Sequence, residues 1–298
     1  IVTNNSNVVN VLGAKTANGN VQFKNTQALG VTTVAASGNF AGTTNGIDTS
    51  ATTGKTVDVL LTAGALTLNN DVTVGTGTVY VTSAGGLNET TGKVLADVLG
   101  INATGAGNIV ANQANHVTGA ISLKTANGTI QYQDTGAITV GAVGASGNYA
   151  GTTGIDSSGG NGTVDLLSGA GGITLNNDIN AGTGTVYLTS AGAGAGISEA
   201  GAAKVTAGTL GMNVTGAGNI VTNNSNVVNV LGAKTANGNV QFKNTQALGV
   251  TTVAASGNFA GTTNGIDTSA TTGKTVDVLL TAGALRSEEH TSELQSHL

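Results

Sequence analysis

The residues best suited to chemistry in this 298-residue chain are four aspartates that recur as two pairs. Asp58 and Asp165 each stand between two apolar residues, and Asp71 and Asp178 each follow two asparagines. Cleavage of a polysaccharide would need two facing carboxylates, or a base beside an acidic cluster. The alternation predicts that Asp58 and Asp165 point outward, and the Asn-Asn-Asp context predicts turns with local backbone hydrogen bonds. Because each acid recurs once per repeat, whereas an active site is normally single, we interpret all four as structural.

The chain contains few residues that could bind a metal ion or form a Ser-His-Asp catalytic triad. The chain has no Cys, and the only His before residue 286 is His116, which stands where related segments have Val8 and Val227. The other repeats therefore lack the His that a His-based metal site or a Ser-His-Asp arrangement would need. Residues 158–165 come close to the calcium-binding Gly-Gly-x-Gly-x-Asp motif, but the Asp lies one position late and the motif occurs once. We assign no catalytic, cofactor-binding or metal-binding residue and interpret the chain as a non-enzyme.

Composition narrows the class of protein further. The chain has 48 Gly, no Pro, 8% charged residues and a net charge of −5. Collagen needs Gly at every third position with abundant Pro, and nucleic-acid binding normally needs a basic surface. No stretch approaches the roughly 18 apolar residues of a membrane span. The chain starts with Ile and shows no signal sequence, so we expect a piece of a longer protein.

The elements that must position these residues are repeats. Residues 1–66 and 220–285 are identical, and a diverged copy begins at Ile109. This predicts a first long repeat at 1–108, a second at 109–219 and a partial third at 220–285. The identity has two explanations, a recent duplication or a misassembled sequencing read.

The C-terminal segment 286–298 differs abruptly from this repeat body. It holds the only Arg, three of the five Glu and no Gly. It resembles the in-frame translation of a common short-read sequencing adapter, so we interpret it as a non-native tail. The alternative is a short charged amphipathic helix that caps the fold.

A shorter period of about 22 residues lies inside the long repeat. Residues 57–59, 66–68 and 72–74 alternate apolar and polar positions, as half-buried strands do, and Gly, Asn and Thr clusters separate them. Three short strands per period predict stacked coils of a parallel β-helix. At about 4.8 Å per coil, the body would form about 10–13 coils and a rod of about 50–60 Å. The alternative architecture is an array of β-sandwich domains of about 110 residues.

Two stretches, 37–56 and 146–163, exceed the short period. We expect them to be loops or irregular coils that project from one side. The few aromatic rings recur at equivalent positions and predict a repeated stack or loop anchor; they are Phe23 with Tyr132, and Phe40 with Tyr149. The repeated turn asparagines predict ladders along the stack.

The segments at 171–179, 184–192 and 196–199 are Gly-Gly-Ile-Thr-Leu-Asn-Asn-Asp-Ile, Gly-Thr-Val-Tyr-Leu-Thr-Ser-Ala-Gly and Gly-Ile-Ser-Glu. With these segments, the body resembles the repeat region of secreted bacterial adhesins of the filamentous haemagglutinin type. The resemblance implies a right-handed parallel β-helix, export by an outer-membrane transporter and display at the cell surface. The Asn-Pro motifs of that family's secretion domain are absent, so the resemblance places this chain in the shaft, and no family binding residue carries over.

These observations lead us to expect a non-enzymatic shaft segment of a secreted or surface-displayed adhesin. Its possible receptor is a host surface or a carbohydrate. Two alternatives stay open: a carbohydrate-active or carbohydrate-binding β-helix protein, and a self-assembling surface-layer or fibre component.

Overall fold

Parallel strands stacked in coils, most of them about 22 residues long, make up most of the fold, a β-solenoid of about 11 turns. The computed structural model describes residues 1–287, and this part contains no helix. The predicted parallel β-helix and its coil length are therefore confirmed. Most of the predicted non-native tail, 288–298, lies outside the described residues.

The strand bounds follow the three long repeats. The first repeat contains β1 (Val2–Asn7), β2 (Val11–Leu12), β3 (Ala14–Lys15), β4 (Val21–Asn25), β5 (Leu29–Val31), β6 (Thr33–Val34), β7 (Thr44–Asn45), β8 (Ile47–Asp48), β9 (Thr56–Leu61), β10 (Leu66–Leu68), β11 (Val72–Thr73), β12 (Thr78–Ser83), β13 (Leu87–Glu89), β14 (Val94–Ala96) and β15 (Val98–Ala103). The second contains β16 (Ile109–Val117), β17 (Ala120–Thr125), β18 (Ile130–Asp134), β19 (Ile138–Val140), β20 (Ala142–Val143), β21 (Thr152–Thr153), β22 (Ile155–Asp156), β23 (Val164–Ser168), β24 (Ile173–Leu175), β25 (Ile179–Asn180), β26 (Thr185–Ser190), β27 (Ile197–Glu199) and β28 (Val205–Val214). The third contains β29 (Ile220–Thr235), β30 (Val240–Asn244), β31 (Leu248–Val250), β32 (Thr252–Val253), β33 (Thr263–Asn264), β34 (Ile266–Asp267), β35 (Val276–Leu280) and β36 (Leu285–Ser287).

Strand register follows the alternating pattern of the sequence. Val57 of β9 pairs with Val79 of β12, which pairs with Leu99 of β15. These three side chains are buried in the interior, where each stacks on its counterpart in the next coil. A single coil cannot bury its apolar side chains alone, so the stack supplies the core.

One parallel sheet runs through the molecule and decides between the two predicted architectures. It contains 30 strands, and the six remaining strands form three short antiparallel pairs, β6–β7, β20–β21 and β32–β33. An array of β-sandwich domains would instead be built from antiparallel sheets. The sandwich alternative is therefore wrong for residues 1–287.

The three antiparallel pairs mark where the chain leaves the stack. Val21 pairs with Val57, and Ile130 pairs with Val164, so these coils are longer than the step from Val57 to Val79. The extra residues form a hairpin once in each long repeat. The prediction that the long stretches contain loops is confirmed, and the hairpin tips build the site described next.

Candidate functional site

Each hairpin ends in a four-residue tip, which we call the docking loop: residues 37–40, 146–149 and 256–259. In the second loop the backbones of Ser146 and Tyr149 exchange hydrogen bonds of 2.9 and 2.8 Å. Gly147 adopts a φ of 55°, and an added Cβ would lie 2.1 Å from the Asp58 carboxylate. Only glycine combines this left-handed conformation with such a close approach. The loop is therefore shaped to press its backbone against Asp58.

The second docking loop binds the outer face of the first repeat. The backbone N–H of Asn148 donates to Asp58 Oδ2 at 2.7 Å, and Gln22 Nε2 donates to the same oxygen at 3.1 Å. The ring of Tyr149 packs against Tyr80, with ring centroids 5.2 Å apart. The loop thus holds one carboxylate and one ring of the preceding repeat.

The third docking loop repeats this geometry on the second repeat. The N–H of Asn258 donates to Asp165 Oδ2 at 2.7 Å, and Gln131 Nε2 lies 3.4 Å from that oxygen. The ring of Phe259 stacks on Tyr187 with centroids 4.9 Å apart. Because the same contacts form at both junctions, docking is a property of the long repeat.

A glycine on the outer face makes room for each docked ring. An added Cβ at Gly100 would lie 2.6 Å from the Tyr149 hydroxyl oxygen, and one at Gly211 would lie 3.0 Å from the Phe259 ring. Glycine inside a strand often marks such a close approach. The acceptor face of a long repeat therefore combines an Asp, a Tyr and a Gly on three neighbouring strands.

Docking bears on two expectations from the sequence. Asp58 and Asp165 lie on the outer side of their strands, but the loops cover them and leave only 4% and 5% of each residue exposed. This burial raises the pKa of Asp58, and it raises the pKa of Asp165 to about 6. The second and third loops also do not project from the rod, because they fold back along it. The alternating pattern predicted correctly that both acids lie on the outer side of their strands, but it gave no sign of the loops that cover them.

The rings at these positions are the loop anchors that the sequence predicted. Tyr149 and Phe259 are buried, at 2% and 0% exposure. Phe40 of the first loop packs on no other repeat within residues 1–287 and is 43% exposed. Phe23 and Tyr132 belong to the interior instead, so they form no part of the loops.

A second contact at each junction joins a glutamate to a bulge in the next coil. Glu89 points inward from β13, and its Oε2 accepts hydrogen bonds from the Gln113 N–H at 2.8 Å and from Asn115 Nδ2 at 3.1 Å. Burial raises the pKa of Glu89 to about 8. The carboxyl group is thus largely protonated at neutral pH.

The next junction has the same pair. Glu199 Oε2 accepts from the Asn224 N–H at 2.8 Å, and burial raises the pKa of Glu199 to about 7. Neither glutamate contact was predicted from the sequence. The available signal was a Glu two residues after an inward-pointing apolar residue, one coil ahead of an Asn-rich segment.

The remaining candidates have structural contacts. His116 is exposed, with Nδ1 3.2 Å from the Thr135 hydroxyl oxygen. Asp71 Oδ1 accepts from the Lys93 N–H at 3.1 Å. That bond reaches the next coil, so the expected local turn bond is wrong for Asp71, and Asp178 does the same with the Lys204 N–H.

Segment 158–165, which comes close to the calcium-binding motif, also uses its polar side chains for hydrogen bonds within the chain. Asn161 Oδ1 accepts from the Thr183 N–H at 2.9 Å, and Asp165 is taken by the docking loop. No group of three or more His, Asp or Glu residues suited to a metal ion occurs among residues 1–287.

Asparagine ladders along the stack are confirmed. Asn219 Oδ1 accepts from the N–H of Asn239 at 2.8 Å, and Asn239 Oδ1 accepts from the N–H of Thr275 at 3.0 Å. Each Asn side chain thus accepts a hydrogen bond from a backbone N–H at a turn of the next coil, where no backbone carbonyl is available.

Comparisons with known proteins give no relative. No protein-family model, curated protein or solved structure matches this chain. Within residues 1–287, no helix is long and apolar enough to cross a membrane.

Proposed function

We propose that this chain is a non-enzymatic shaft segment of a secreted or surface-displayed bacterial adhesin. The observation that carries the proposal is the continuous stack of coils, joined at both long-repeat junctions by the same docking loop and the same hydrogen-bonded glutamate. A spacer must keep its shape when its ends are pulled or bent. Contacts that recur at every junction are suited to that task.

The docking loops give more than the nearest-neighbour contacts of an ordinary solenoid. The second loop leaves the stack beside β17 and reaches back over β15 and β12 to Asp58 on β9. One loop therefore ties four successive coils together. A coil cannot peel away or bend outward on this side without first breaking the docked contact.

The outer-membrane transporter and the surface location remain part of this proposal through the family resemblance alone. The rod would be exported by such a transporter and would hold a receptor-binding region away from the cell. At about 4.8 Å per coil, about 11 coils give a segment of roughly 50 Å.

An antibody against residues 1–285 tests the proposal in the source bacterium. We expect gold-labelled antibody to bind intact cells at a distance from the outer membrane, and brief surface proteolysis to remove the label. Labelling that appears only after the cells are permeabilised would contradict surface display.

A further inference from the structure

We propose that residues 1–40 form a docking surface for one more long repeat of the same kind, stacked ahead of Ile1. The proposal rests on the shaft function, because it names the partner that would lengthen the shaft. The first docking loop, 37–40, is the part of this surface that would fold back onto the Asp-Tyr-Gly acceptor face of that repeat.

The identity of residues 1–66 and 220–285 supplies an internal comparison. Ile1 is 50% exposed, whereas the same residue at position 220 is 0% exposed behind the second repeat. Phe40 is 43% exposed, and its copy Phe259 is 0% exposed. Sequence cannot cause these differences, so they show what a preceding long repeat covers.

Exposed apolar residues concentrate on this surface. Eight large hydrophobic residues are exposed in the described chain, and five of them lie here: Ile1, Val2, Val8, Val11 and Phe40. The other three, Val276, Leu279 and Leu285, lie at the opposite end of the stack. Contiguous exposed apolar groups indicate an interaction surface.

The polar groups of the surface specify the partner. Asn224 and Asn258 donate their N–H groups to Glu199 and Asp165, and Asn226 Oδ1 accepts from the Val205 N–H at 2.6 Å. The equivalent groups on the surface are the N–H of Asn5, the N–H of Asn39 and the side chain of Asn7. A long repeat provides the three matching partners in its later coils.

The C-terminal end of a second copy of this chain is a poorer match. It offers Asp277 at the position of Asp58, and that residue is exposed. The acceptor face also needs a Tyr and a Gly on the next two coils, and residues 286–298 contain neither. The occupant that fits is therefore a complete long repeat.

The test is an extended chain in which a copy of residues 109–219 precedes Ile1 of the full chain. Because residues 1–66 and 220–285 are identical, this rebuilds the existing junction between residues 219 and 220. Thr43→Ser marks the first loop, so that mass spectrometry distinguishes its peptide from the identical third loop. The Ser hydroxyl retains the group that accepts from the Ala36 N–H.

We expect hydrogen exchange in the marked loop to slow, on extension, to the rate of loop 256–259 in the same chain. A control extension carries the equivalent of Gly211→Ala, which fills the space for the ring. In that control, strands β1–β3 should still gain protection while the marked loop exchanges fast.

Three results would overturn the proposal. They are a marked loop that stays fast on extension, strands β1–β3 that gain no protection, and protection of the unextended chain that rises with its concentration. None of these readouts involves a cell, so docking can fail while surface display holds, and the reverse.

Discussion

Replacing the same Phe in two copies of one sequence isolates the energy of docking. Phe259 is fully buried on the second repeat, and Phe40 is 43% exposed. Truncation of a buried Phe to Ala typically costs about 3–5 kcal/mol, whereas a surface change stays within about 0.5 kcal/mol. The flanking residues are identical, so local propensities cancel between Phe259→Ala and Phe40→Ala.

The structure indicates that Phe259→Ala will fall within that range. The side chain loses its stack on Tyr187 and its contact above Gly211. A loss of about 3 kcal/mol corresponds to roughly a 100-fold change in the equilibrium between docked and open loop. The Asn258 N–H, which donates to Asp165, should exchange faster by up to that factor.

Hydrogen exchange with mass spectrometry measures both loops in one sample, provided that Thr43→Ser marks the first. We expect Phe259→Ala to accelerate exchange in 256–259 and Phe40→Ala to leave 37–40 unchanged. Equal effects in the two loops, or no effect in either, would refute the docked geometry.

Three further changes test the interior and the junctions. Because the pKa of Glu89 is raised to about 8, the native chain should lose folding stability as the pH rises from about 4.5 to about 8. Glu89→Gln should remove this pH dependence, and urea unfolding at several pH values measures it. Tyr132→Phe removes the hydroxyl that donates to buried Asp134 at 2.7 Å and should cost about 1.5–3 kcal/mol, and adding Asp134→Asn should restore most of it, because the other repeats carry Phe and Asn there. Gly100→Ala should undock loop 146–149. Gly144→Ala, in the same hairpin and with nothing within 4 Å of the added Cβ, should leave it docked; hydrogen exchange in that loop decides both.

The direction of the pH effect follows from the protonated state of the buried acids. Folding favours the neutral form of Glu89, Glu199 and Asp165, since burial raises the pKa of each. Their contribution to stability is complete below the pKa values of the unfolded chain and is lost as the pH rises through the folded values. The junctions should therefore be tighter near pH 5 than near pH 8.

The coil could be predicted from sequence because its signal is local and repeated. Val57, Leu66 and Val72 each begin an alternating segment, and the structure places a strand at or around all three. The short period then leaves few architectures that bury one face per segment. Alternation likewise placed Asp58 on the outer side of its strand.

The docking site could not be predicted, because its partners lie far apart in sequence and differ in type. Asp58 and Asn148 are 90 residues apart, and the bond uses the backbone of Asn148, which any residue would offer. Gly100, a glycine inside a strand, indicated a close approach at this position, but the sequence does not show that the approaching group is the ring of Tyr149.

Mechanical unfolding of single molecules tests most directly whether docking joins coils into one stiff unit. At about 3.3–3.6 Å per extended residue, release of a whole long repeat of about 110 residues lengthens the chain by about 360–400 Å, and release of one coil of about 22 residues by about 75 Å. We expect the larger steps in the native chain and the smaller steps when Gly100→Ala and Gly211→Ala undock both loops. Single-coil steps in the native chain, at the same force as in the double variant, would contradict a shaft stiffened by its docking loops.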